Sequence, residues 1–295
     1  MRGLSPGDRV AGAPISWGVC EAPGWGHELA AGRVLAEMAT LGLRATELGP
    51  TGYLGTTAPE VRARLDQHGL RLIGGFLPVP LHVQRGMDLS EAEEAIAVLA
   101  AAGAEVVVLA ARSTDGSYDR KVPLDDDEWP VLLGNLDRLA TLIAGYGMRT
   151  TLHPHVGTAI ESRESVLRLL GSSDVELCLD TGHLLIGGMQ PLELLDGFAG
   201  RIGHVHLKDV RTAVAEPVAA GRVSYLDAVR AGLYTPLGAG DLDIAAIVAA
   251  LEAAGYQGWY VLEQDCALDG EPPTGQGPIS DAGRSLDYLR TASGA

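Results

Sequence analysis

The chain has 295 residues, a 46% hydrophobic content and a formal charge of −16 at pH 7. That much apolar material is enough for one sizeable core, and no Gly/Pro/Ser-rich linker divides it. The negative charge repels phosphate backbones and anionic lipid, so neither nucleic acid nor a membrane is an expected partner. Cys20, Cys178 and Cys266 are odd in number and far apart, without a CxxC, which argues against a disulfide framework and a zinc ribbon. Met1 to Asp8 is short and polar, and no apolar run reaches the roughly 18 residues of a membrane span. A cytoplasmic protein is expected.

Apolar runs of strand length alternate with stretches of helical period, the mark of a parallel sheet with helical crossovers. In chain order, strands are expected at Val10–Ser16, Ala45–Leu48, Arg71–Leu77, Glu105–Ala110, Arg149–Leu152, Glu176–Leu179, Ile202–Leu207 and Tyr260–Leu262. Helices are expected at Ala31–Leu41, Pro59–His68, Ser90–Ala102, Trp129–Tyr146, Ser162–Leu170, Pro191–Phe198 and Ile244–Ala254, with a final one near Asp281–Thr291. Eight such units predict an α/β chain folded as a single (β/α)8 TIM barrel over residues 1–295. Gly42, Gly69, Gly103, Gly147 and Gly255 follow helical patterns and suit the left-handed residue after a helix. Ser90, with Glu93 three residues on, reads as a capping box, and Ser162 as an N-cap. The long loops after strands 3, 4 and 7 fall on the side where barrels of this type build their active sites.

Four apolar runs in the second half end in metal-ligand residue types: Leu152-His153-Pro154-His155, Leu179-Asp180, Val205-His206 and Leu262-Glu263. Asp180 stands directly after a continuous apolar strand, either as a rim carboxylate or as a cap for the next helix. His204 and His206 alternate with Val205 and so face one side of their strand. His206, nearer the rim, is the expected ligand, with His204 deeper. Glu263 closes the last strand, where no helix follows closely enough to need a cap. For a fourth ligand, Glu161 just ahead of Ser162 is favoured over His153, because open metal sites commonly combine imidazole with carboxylate.

His153-x-His155-x-Gly157-Thr158-x-Ile160-Glu161, Leu177-Cys178-Leu179-Asp180-Thr181-Gly182-His183, His204-Val205-His206-Leu207-Lys208-Asp209, Gly238-x-Gly240-Asp241-x-Asp243 and Gly258-Trp259-x-Val261-x-Glu263 resemble the xylose-isomerase-like TIM-barrel superfamily, the sugar phosphate isomerase/epimerase group. The resemblance is strongest to its inosose dehydratase branch. It implies that Asp180, His206 and Glu263 bind one divalent cation, Mn²⁺ or Co²⁺ ahead of Mg²⁺ or Zn²⁺. Many relatives carry a strand-end glutamate where this chain has His153. A homo-oligomer is a further expectation from the resemblance alone.

The implied activity is dehydration of an inosose, a keto-cyclitol, through an enediolate. The alternative is a sugar or sugar-phosphate isomerase or epimerase using the same metal and the same proton abstraction beside a carbonyl. Such chemistry needs a base and an acid. His155 and His183 are the first candidates and Glu47 the third, with Lys208 in reach of a substrate oxygen. Trp17, together with Trp25, is the candidate apolar wall for the substrate ring, and His153 a substrate contact if it is not a ligand. Entry of two of Arg112, Lys121 and Arg211 into the pocket would favour a phosphorylated sugar.

Overall fold

The structure, a computed structural model, describes residues 6–292; the N-terminal reading therefore falls mostly outside the described residues. Ten strands follow in chain order: β1 (Val10–Gly12), β2 (Ala45–Glu47), β3 (Arg71–Pro78), β4 (Val106–Ala110), β5 (Arg149–Leu152), β6 (Glu176–Asp180), β7 (Ile202–Leu207), β8 (Asp209–Val210), β9 (Tyr234–Thr235) and β10 (Tyr260–Leu262). Eight of them close into a parallel barrel in the order β1, β10, β7, β6, β5, β4, β3, β2, the architecture expected from the alternating pattern. The antiparallel pair of β8 and β9 stands apart from it.

The helices are α1 (Ala31–Thr40), α2 (Ala58–Asp66), α3 (Ser90–Ala102), α4 (Glu128–Gly145), α5 (Arg163–Ser172), α6 (Thr181–Ile186), α7 (Pro191–Phe198), α8 (Thr212–Ala219), α9 (Tyr225–Arg230), α10 (Ile244–Ala253) and α11 (Pro278–Ala292). Leu and Val from their inner faces meet the outward-facing strand residues, such as Val107, Leu179 and Val205, in one large apolar layer. The barrel's own interior is filled at one level by Ala11, Ala13, Ala45, Ile73 and Val261, small and branched residues that leave the polar side chains above them a solid floor. No helix among the described residues is long and apolar enough to cross a membrane.

Three local expectations are corrected. The first strand stops at Gly12, because Pro14 opens a short 3-10 turn (Pro14–Trp17); proline supplies no N–H to a ladder but suits a first helical position. Ser90 is the first residue of α3 and not its cap; Asp88 Oδ1 instead accepts from the Ser90 N–H (3.0 Å) and hydroxyl (2.6 Å). The stretch after β7 is a folded insertion of β8, α8, α9 and β9, held in part by Asp209, whose carboxylate accepts from the N–H groups of Gly238, Gly240 and Leu242.

Candidate active site and metal centre

Residues from β2, β5, β6, β7 and β10 meet at the C-terminal mouth of the barrel. Register brings them there: Asp180 pairs with His206 across β6 and β7, and Leu207 with Leu262 across β7 and β10, just before Glu263. His204 and His206 both point inward and both reach Glu47 Oε1, at 2.7 and 3.1 Å through Nε2, while Val205 joins the outer apolar layer. The period-two reading of that strand thus describes the fold.

Asp180 serves both roles that the sequence left open. Its Oδ1 accepts from the N–H groups of Gly182 (2.9 Å) and His183 (2.8 Å), capping α6. Its Oδ2 is buried without a hydrogen-bond partner, and so is His206 Nδ1. These two atoms lie 3.7 Å apart, and His206 Nδ1 is 3.3 Å from Glu263 Oε2. Buried polar atoms are rarely left unpaired, since each costs about 1–3 kcal/mol. Asp180, His206 and Glu263 form a group whose ligand atoms all lie within 4.8 Å of one another, the arrangement that a divalent cation satisfies.

His153 stands beside this group, without being one of its three members. Its Nδ1 bonds the Pro154 carbonyl at 2.7 Å, which leaves the Nε2 lone pair turned toward Asp180 Oδ2, 3.5 Å away. In the same way Glu47 takes the Nε2 proton of His206 and leaves Nδ1 as the donor, the outer carboxylate that orients a ligating imidazole. Glu47 is therefore occupied by two rings. Burial works to raise its pKa, but His206 and His204 hold the carboxyl below the ordinary range. Glu263 behaves oppositely: burial pushes it up to about 7. Burial also opposes a charge on His206, yet the Glu263 and Glu47 carboxylates raise its pKa well above the usual imidazole value. Cys178 lies close to His153 and His206, but burial pushes its thiol up to about 11, so it remains protonated.

Glu161 is not brought to this group. Its Oε2 accepts from the Gly157 N–H at 3.0 Å, closing the turn after β5. Gly157 has φ +74°, and a Cβ there would lie 2.5 Å from the Tyr118 Cα, so the turn packs backbone to backbone against the loop after β4. Glu161 thus fixes the segment that carries His155 and does not fold back over the rim. Trp17 is a second correction. It is fully buried in the layer between barrel and helices, with Nε1 donating to Glu37 Oε2 (2.9 Å), and it does not line the cavity.

A cavity of about 410 Å³ opens above the donors, lined among others by Trp25, Glu47, Phe76, Tyr118, His153, His155, His206, Lys208, Tyr225 and Glu263. Arg112, Lys121 and Arg211 are not among its lining residues, and Lys121 instead donates to the Ala219 carbonyl (2.8 Å). His155 stands on the wall with Nδ1 bonded to the Val156 carbonyl (2.8 Å). Its ring packs against His183 at 3.8 Å between centroids. Burial, then the neighbouring His153 and Lys208, hold its pKa well below the usual value, so the resting ring is neutral with a free Nε2. His183 sits behind it, off the cavity wall, with Nε2 3.1 Å from Lys208 Nζ.

Lys208 takes the next alternate position after His204 and His206 and so faces inward with them, into the cavity. Its ammonium is 2.8 Å from Asp265 Oδ1, 3.0 Å from Glu263 Oε2 and 3.4 Å from Asp180 Oδ2. Sequence reasoning missed Asp265, Tyr118 and Tyr225. Asp265 follows Glu263 at i+2 and so shares its face, a signal that was available; Tyr118 lies in the loop after β4 and Tyr225 opens the short helix α9, where no periodicity places them.

A profile described as xylose isomerase-like TIM barrel matches residues 35–292. The chain belongs to that family. Among curated members, the inosose dehydratase of Geobacillus thermodenitrificans (strain NG80-2) is 33% identical over 96% of each chain. Two solved structures of similar fold are D-allulose 3-epimerase from Methylomonas sp. in complex with D-allulose (18% identity, TM-score 0.68, 96% of each chain) and the IOLI protein with a binding zinc atom (14% identity, TM-score 0.69, 97% of this chain and 98% of that one). The xylose isomerase-like barrel carries its candidate metal donors here on four neighbouring strands, β5, β6, β7 and β10.

Proposed function

We propose that this enzyme is an inosose dehydratase, a divalent-metal lyase that removes water from a keto-cyclitol. The observation that carries the reading is the convergence of Asp180 Oδ2 and His206 Nδ1, neither with a hydrogen-bond partner, with Glu263 beneath a cavity of sugar size, in a chain whose curated relatives at 29–33% identity bear that name.

Asp180, His206, Glu263 and His153 would hold the ion, two carboxylates and two imidazoles without thiolate. That donor set suits Mn²⁺ or Co²⁺. A bound divalent cation supplies Lewis-acid stabilisation of the negative charge that develops on a ketone oxygen. His155 is the base: neutral at rest, it takes the proton from the carbon beside the carbonyl at Nε2. Because His183 is off the wall and engaged by Lys208, the protonated His155 also delivers the proton to the departing hydroxyl. Glu47 keeps His206 in the ligating tautomer. Among the described residues, Arg112, Lys121 and Arg211 do not line the wall and Lys208 faces three carboxylates, which favours an uncharged substrate over a phosphorylated one.

The test is to incubate metal-loaded protein with 2-keto-myo-inositol and a panel of ketoses in D₂O and follow them by NMR. Loss of water from the inosose is expected. Deuterium uptake with formation of a new epimer, and no dehydration, would assign an epimerase instead.

Metal affinity should rise with pH. His206, and Glu263 at about 7, hold protons more tightly than ordinary groups of their kind in the metal-free protein, and ligation must displace those protons. Raising the pH from about 6 to about 8 is therefore expected to strengthen binding, with up to about two protons released per ion. Chelator competition across that range measures it; a flat profile would reject Glu263 and His206 as proton-linked ligands.

A further inference from the structure

Asp265 has no role in the donor group described above, yet it is 6% exposed and lines the cavity. Its two oxygens are divided. Oδ2 accepts from the Tyr225 hydroxyl at 2.7 Å, and that hydroxyl lies 2.8 Å from the Tyr234 hydroxyl. Oδ1 has no hydrogen bond and faces Lys208 Nζ at 2.8 Å. Tyr225 stands at the start of α9 and Tyr234 in β9, so the folded insertion after β7 is what holds this carboxylate in place.

The position of the Lys208 ammonium matters because its other carboxylate neighbours are Glu263 Oε2 and Asp180 Oδ2. Those belong to the very residues proposed to take the metal. A buried ammonium must stay paired. An ammonium resting on Glu263 and Asp180 would neutralise them and oppose a second cation by direct repulsion. Asp265 is the nearest of the three acceptors, and it is the one that is not a proposed ligand.

We infer that Asp265 is a positioning residue that takes a share of the Lys208 ammonium from Asp180 and Glu263, which both lie within ion-pair distance of it, so that these two carboxylates keep capacity for a divalent cation. The inference rests on the metal-site reading given above. Tyr225 and Tyr234 act through Asp265, fixing its rotamer. In this arrangement Lys208 is a competitor held in check.

The test is a double-mutant cycle read by Co²⁺ affinity, in competition with a chelating dye, on protein stripped of metal. Asp265→Asn keeps the shape but removes the charge, and is expected to weaken Co²⁺ binding about 10- to 100-fold, the usual range for an outer partner of a metal ligand. In a Lys208→Met background the same substitution should have no effect, because the competing ammonium is gone. Wild-type affinity in Asp265→Asn, or an equal loss in both backgrounds, would overturn the inference. Should Asp265→Asn fail to fold, Tyr225→Phe is expected to give a smaller loss that likewise vanishes with Lys208→Met; persistence of that loss would overturn it too. Wild-type protein that binds no Co²⁺ would sink the metal-site reading and this inference together, whereas tight wild-type binding with an unaffected Asp265→Asn rejects the inference alone.

Discussion

Asp180→Asn is expected to lose the metal ion while keeping its helix cap, whereas Asp180→Ala should lose both. The separation follows from the divided carboxylate, with Oδ1 on the N–H groups of Gly182 and His183 and Oδ2 turned to His206 and His153. An asparagine oxygen still caps, so only the alanine variant should show the additional loss of about 1 kcal/mol typical of a missing N-cap. Both variants should lose the thermal stabilisation that metal gives wild type, which amounts to about 2.7 kcal/mol at a free ion concentration 100 times Kd. His206→Ala should behave alike, and Glu161→Gln should retain the ion, since Glu161 bonds Gly157 and stands apart from the donors. Metal content after dialysis and melting curves with and without ion check all four. Stoichiometric metal on Asp180→Asn and His206→Ala would reject the site.

His155→Gln is expected to lower kcat by about 10²- to 10⁴-fold, the usual contribution of a positioned base, with metal content unchanged. Access to the cavity separates the two rings. Of the two histidines stacked at 3.8 Å, only His155 reaches the cavity, and its Nδ1 bond to the Val156 carbonyl leaves Nε2 as the free lone pair. His183→Gln should cost far less in kcat, because its ring supports His155 and Lys208 from behind. Steady-state rates of inosose dehydration with both variants decide it. Equal losses in the two, or a larger loss in His183→Gln, would reassign the base.

The barrel was legible because eight apolar runs alternate with amphipathic stretches, and because turn glycines such as Gly103 and Gly147 do adopt positive φ after their helices. Asp180, His206 and Glu263 were legible for a related reason: a residue that ends a buried strand of a closed barrel has little choice of where to point. Loop residues lack that constraint. Glu161 was expected to turn inward, but the path of its loop is set by the left-handed Gly157 packing on the Tyr118 backbone, a contact between segments far apart in sequence. Trp17 was displaced from the wall by the turn that Pro14 begins. Tyr225 reaches the cavity only through the fold of the whole insertion, whose helices are too short for a period to announce them.

The donors of the candidate centre come from one contiguous arc of the barrel, β5, β6, β7 and β10, while segments after β1, β2 and β4 supply much of the opposite wall, including Cys20, Glu21, Trp25, Thr51 and Tyr118. The candidate donors and the loops of this facing wall thus occupy separate halves of the rim. Exchanging the loops after β1 and β2 would reshape that wall without touching the donor strands, whereas the loop after β4 is tied through Tyr118 to the Gly157 turn that carries His155.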